Sequence, residues 1–100
     1  MIKLELISVR PMLGNIDRFH TSDDGIREYI KKNFQDTGKL VSMTSSISED
    51  YSTQTRTFIF ESHEGYDEFS NDEVLQYQTV LRDRYNTYHH ITFEQFVTTV

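Results

Sequence analysis

Residues 39–61 read KLVSMTSSISEDYSTQTRTFIFE. Two runs in this stretch alternate with a period of two, the pattern of strands with one buried face. In the first, Val41, Met43, Ser45 and Ile47 point one way and Ser42, Thr44, Ser46 and Ser48 the other. In the second, over 53–61, Arg56, Phe58 and Phe60 share a face, and Thr55, Thr57 and Ile59 share the opposite one. Glu49-Asp50-Tyr51-Ser52 between them reads as a hairpin turn without an Asn-Gly signal. A hairpin with helical periodicity on both sides is the centre of a split βαβ plan, so this stretch decides the fold.

Upstream, residues 2–10 predict a first strand, with Ile2, Leu4 and Leu6 on one face and Ile7 and Val9 on the other. Pro11 ends it, because proline cannot donate to a ladder. A long connection over 11–21 follows, with Gly14-Asn15 near its middle. Its Met12, Leu13, Ile16 and Phe19 predict a loop that packs. Thr21-Ser22-Asp23-Asp24 opens a helix, with Thr21 or Ser22 as the expected cap. Ile26, Tyr29, Ile30 and Phe34 recur at helical spacing, Arg27, Lys31 and Lys32 take the outer side, and Gly38 is placed to stop the helix.

Downstream, Ser62 can cap a short helix that turns Tyr66 and Phe69 inward. Ser70-Asn71-Asp72-Glu73 has the form of a capping box and predicts a break, then a long helix over about 72–88. Its apolar line is Val74, Tyr77, Leu81, Tyr85 and Tyr88. Residues 91–99 predict the last strand, with Ile91, Phe93 and Val97 opposite Phe96. The order is strand–helix–strand–strand–helix–strand. Right-handed crossovers then give an α+β domain, ferredoxin-like, over residues 1–100: a four-stranded antiparallel sheet with both helices on one face. Apolar side chains on both faces of the strands predict an exposed patch on the uncovered side, which a second copy would bury.

The chain has 100 residues, no Cys, no Trp and a formal net charge of −6. Without Cys, disulfides, thiolate metal sites and cysteine nucleophiles are excluded. Residues 51–100 carry three Lys/Arg against eight Asp/Glu, with Glu61, Glu64, Asp67, Glu68, Asp72 and Glu73 grouped together. Such a cluster repels phosphate, so no nucleic-acid partner is expected. Arg56, Phe58 and Phe60 loosely imitate the third strand of RNA-recognition domains, but that motif's glycine and a first-strand aromatic are missing. Charges within Met1-Ile2-Lys3-Leu4-Glu5 fit neither a signal peptide nor a membrane span, and a cytoplasmic location is expected.

The run Thr57-Phe58-Ile59-Phe60-Glu61-Ser62-His63-Glu64-Gly65-Tyr66-Asp67-Glu68-Phe69, the broken second helix and the strand after His89-His90 carry a resemblance. They are similar to the dimeric α+β barrel superfamily, which includes antibiotic-biosynthesis monooxygenases. The resemblance implies a homodimer joined through the sheet face, with a pocket between helices and sheet in each subunit. Tyr29, Phe34, Tyr66, Phe69, Tyr77 and Leu81 are the residues it places nearest that pocket, with Tyr85 and His89 beside them. Enzymes of the group combine Asn, Trp and His around the pocket. This chain lacks Trp, and none of Asn15, Asn33, Asn71 and Asn86 matches a catalytic position.

Cofactor-free proton abstraction would fall to His89 or Tyr85, the catalytic candidates. Glycine-rich phosphate loops are absent, and no cofactor is expected. His63 and Asp67 have the i, i+4 spacing of helix metal ligands, as do Tyr85 and His89, but adjacent His89 and His90 cannot chelate as a pair, and no metal is expected. Three functions remain open. The first is a soluble homodimeric protein binding a small hydrophobic ligand or a partner. The second is a small monooxygenase- or isomerase-like enzyme on a hydrophobic aromatic compound. The third is a viral or regulatory interaction module using Glu64, Asp67 and Glu68.

Overall fold

The alternating runs fold as four antiparallel strands: β1 (Ile2–Val9), β2 (Leu40–Ile47), β3 (Thr53–Phe60) and β4 (Thr92–Thr99). Their order in the sheet is β2-β3-β1-β4. Among the described residues three α-helices accompany the sheet: α1 (Asp24–Ile30), α2 (His63–Asn71) and α3 (Glu73–Tyr88). The architecture comes from a computed structural model that describes residues 1–11 and 19–100. It is a small α+β domain compatible with a ferredoxin-like fold.

The register explains which face is covered. On one face, Leu40, Phe60, Ile2 and Thr99 lie side by side in one row across the sheet. The next row is Met43, Phe58, Leu4 and Val97, followed by Ser45, Arg56, Leu6 and Gln95. Helix residues Ile30, Phe34 and Leu75 pack on the first two rows, with Tyr66 and Phe69 beside them. Phe60 is fully buried at 0% exposure. Phe69 makes ring contacts with Phe34, Phe58 and Phe60 at centroid distances of 5.2, 5.5 and 5.1 Å. Arg56, Phe58 and Phe60 therefore share the helix side of the sheet, where Phe58 and Phe60 are buried, so the RNA-recognition imitation does not present those aromatics on an open sheet.

Several local expectations are corrected. The register shifts between Leu40 and Ser42, so a bulge drops Val41 out of the alternation. Leu40 then joins Met43, Ser45 and Ile47 on the helix side, and Val41 is exposed. Asp23, not Thr21 or Ser22, caps α1: its carboxylate accepts from the Ile26 amide at 2.9 Å. The helix widens after Ile30 into a π turn over Lys31–Gln35, closed by the Asp36 amide on the Lys31 carbonyl at 2.8 Å. The ammonium of Lys31 pairs with Asp36 at the same i, i+5 spacing, 3.2 Å away. Gly38 follows at φ +80°, the left-handed geometry that favours glycine.

The α2–α3 break falls at Asp72, within the expected Ser70-Asn71-Asp72-Glu73 stretch, with Asp72 and not Ser70 as the cap of α3. Asp72 is extended at ψ 124°, and its carboxylate caps α3 by accepting from the Leu75 amide at 3.1 Å. The second oxygen of the same carboxylate accepts from the Tyr29 hydroxyl at 2.6 Å, which ties α1 to the start of α3. Gly65 lets α2 approach the chain entering β2, because a Cβ there would sit 3.2 Å from the Lys39 carbonyl oxygen.

The apolar line expected along α3 is only partly buried: Leu81 and Tyr85 are half-buried, but the rest is exposed. Tyr77 is 61% exposed, and Val74 and Tyr88 are exposed as well. Leu75 and Asn86 are the buried residues of that helix, and Gln78, Thr79 and Arg82 lie between them in phase. Helix-free strand positions are also less apolar than expected. Ile7, Val9, Ile59 and Phe96 lie there, but Lys3 is beside Ile59, Glu5 beside Phe96 and Glu94 beside Ile7. Serines and threonines supply β2 and most of β3 on this face. In the 11–21 connection, Met12, Leu13, Gly14, Asn15 and Ile16 lie outside the described residues. Phe19 is buried, with the Arg10 guanidinium 5.0 Å above its ring.

Candidate functional site

Along each strand the helix-facing rows change character from apolar to polar. The first two rows fill the core, but the third brings in Ser45, Arg56 and Gln95. Helices α1 and α3 do not close over this part of the sheet. The result is an open cleft of about 810 Å³. Leu4, Leu6 and Phe58 form its floor, Ile26, Arg27 and Ile30 come from α1, and Leu75, Thr79 and Arg82 come from α3. Segment 20–22 edges it with His20, Thr21 and Ser22.

Three arginines and no carboxylate line the cleft among the described residues. Arg56 is half-buried because its strand phase is that of Phe58 and Phe60. Its Nη2 donates to the His20 carbonyl at 2.8 Å. Burial lowers its pKa first, followed by the charges of Arg27 and Arg82. The Arg82 guanidinium lies 3.9 Å from the Phe93 ring centroid and donates to the exposed Asp83 carboxylate at 3.2 Å. Burial, then Arg56 and Arg82, hold the His20 imidazole below its ordinary pKa and favour its neutral form. The cleft therefore joins an apolar floor to a cationic wall, in a chain whose net charge is −6.

Of the six expected ligand contacts, Phe69 alone is at this cleft among the described residues. Phe34 is buried in the core, Tyr66 packs edge-on to Phe60 at 5.6 Å, and Tyr29 is bonded to Asp72. Tyr77 is exposed, and Leu81 is partly buried on α3 outside the cleft. Tyr85 and His89, the acid–base candidates, stack at 4.2 Å, and Tyr85 also meets His20 at 5.4 Å. Of those three rings, only His20 reaches the cleft. His63 pairs with Asp67 at 3.0 Å on exposed α2, and Lys39 pairs with Glu68. Among the described residues no group of three or more His, Cys, Asp or Glu is arranged to hold a metal. No helix among them is long and apolar enough to cross a membrane.

Arg27, Arg56, Arg82 and His20 are the residues that sequence reasoning did not single out as a group. Two signals were available. Arg56 alternates in phase with Phe58 and Phe60, and Arg82 lies seven residues after Leu75, two helical turns along the same face. What the fold and cleft together define is a small α+β protein with an arginine-lined cavity on the helix side of its sheet. No protein-family model matches the chain, and no curated protein is significantly similar to it.

Proposed function

We propose that this chain is a ligand-binding protein of the dimeric α+β barrel kind, a homodimer whose protomers each hold a small hydrophobic compound between helices and sheet. The cleft carries this reading: its volume of about 810 Å³ falls in the size range of small-molecule sites, and its floor is Leu4, Leu6 and Phe58. Dimerisation through the helix-free face is supported by Phe96 and Val9, 46% and 41% exposed there, with half-buried Ile7 and Ile59 nearby. Light scattering behind size-exclusion chromatography, run over a range of concentrations, tests the assembly. A stable species of twice 11.9 kDa is expected, and Phe96→Asp should convert it to monomer. A wild-type protein that stays monomeric at high micromolar concentration rejects the dimer and leaves the cleft to be tested separately.

A further inference from the structure

The cleft also specifies what kind of hydrophobic compound it takes; this inference rests on the ligand-binding reading. We propose that the cleft selects a small amphipathic carboxylate, its anionic head held at Arg56 between Arg27 and Arg82 and its apolar body lying over Leu4, Leu6 and Phe58. A site for a neutral hydrophobic compound needs no guanidinium in its wall. Here three converge on one cavity, and no Asp or Glu among the described residues lines it.

Like charges gathered around one cavity oppose one another unless an anion joins them. Arg56 is half-buried, and burial first, then the charges of Arg27 and Arg82, lower its pKa. Arg56 spends one donor on the His20 carbonyl, and a guanidinium has five. Its planar fork matches a carboxylate in two parallel bonds, which a lysine would not offer. Asp83 pairs with Arg82 from an exposed position and does not line the cavity. Neutral side chains surround the arginines: Ser45, Gln54, Gln78, Thr79 and Gln95 line the same cleft. They can donate to carboxylate oxygens without adding repulsion. Floor and wall therefore ask for opposite ends of one molecule.

The test compares 2-naphthoate with 2-naphthamide, which share a ring system and differ in charge. Both are titrated into the full chain and followed by amide chemical-shift changes and calorimetry. Naphthoate is expected to bind about tenfold or more tighter, as for one charge-assisted pair, with shifts centred on 54–58 and 79–82. Arg56→Gln should bring the two affinities close together, and the exposed Arg27→Gln, which removes no buried group, should narrow the gap while the fold stays intact by circular dichroism. Equal binding of amide and carboxylate at the cleft overturns the anion selectivity and leaves the ligand-binding reading standing. Failure of both compounds to bind, or shifts confined to other surfaces, overturns both.

Discussion

Replacing Phe60 by alanine tests the register on which every other placement depends. Phe60 is fully buried, flanked in its row by Leu40 and Ile2, and met edge-on by Tyr66 and Phe69. Removing such a ring costs about 3–5 kcal/mol, the ring contacts included. Strand neighbours on both sides are held by ladder bonds and cannot collapse into the space, which places the cost toward the upper end, about 5 kcal/mol. A domain of this size is stable by about 5–15 kcal/mol, so the variant loses a large share of its margin. At about 4–8 °C per kcal/mol, the melting temperature should fall by roughly 20 °C or more. Tyr77→Ala is the matched control. That side chain is 61% exposed on α3, although its spacing suggested the core, and its loss should cost about 0.5 kcal/mol or less. Urea unfolding followed by circular dichroism measures both. Similar costs for the two variants would refute the reasoning, because a one-residue slip of β3 would turn Phe60 out and Ile59 in.

Two further substitutions probe local chemistry. Asp50 accepts from the Ser48 and Ser52 hydroxyls, each at 2.7 Å, and from the Ser52 amide, and these bonds lower its pKa from 3.8 to about 2. Because the folded value is depressed, the charge-dependent stabilisation is complete above pH 4 and is lost as pH falls toward 2. Asp50→Asn should abolish that pH-dependent component, and a carboxyl NMR titration midpoint near 3.8 in the wild type would contradict the turn geometry. Asp72→Ala removes the cap of α3 and the acceptor for Tyr29 together. It should cost about 1–2 kcal/mol in thermal unfolding, and Tyr29→Phe should lose part of the same stability. Full additivity of the two changes in the double variant would argue against a shared carboxylate.

Element order was legible because alternation and helical spacing are written in side-chain type, and burial enforces them over many residues at once. The two faces of β3 and β4 follow directly from their period of two. The misreadings are places where one residue changes the count. Val41 is apolar and in phase, yet the register shift before Ser42 moves Leu40 into its expected place. Polar type alone could not choose among Thr21, Ser22 and Asp23 as cap, since all three can accept from an amide; backbone geometry decides it. The π turn after Ile30 inserts a residue into the helical count without a proline or glycine to announce it.

The misreading of α3 and the missed site have one cause. Apolar periodicity finds the face of a helix that fills a core, and the face of α3 that lines the cleft past Leu75 is Gln78, Thr79 and Arg82. Val74, Tyr77 and Tyr88 then supplied a regular stripe on the solvent side. A polar inward face is costly where it is sealed, because buried donors without partners lose solvation. It is tolerated where the layer above the sheet stays open, and there the strand beneath changes character in the same row, with Arg56 following Phe58. The matching change on two elements distant in sequence separates a built cavity from a packing defect. It also accounts for the contrast in charge: acidic groups lie on exposed α2, where Glu64, Asp67 and Glu68 are solvated, while Arg27, Arg56 and Arg82 line the cleft. An anion approaching this protein meets net repulsion at long range, which salt screens, and attraction inside the cleft, which salt screens less. Raising ionic strength should therefore leave naphthoate affinity nearly unchanged, whereas a ligand held only by surface lysines would be released.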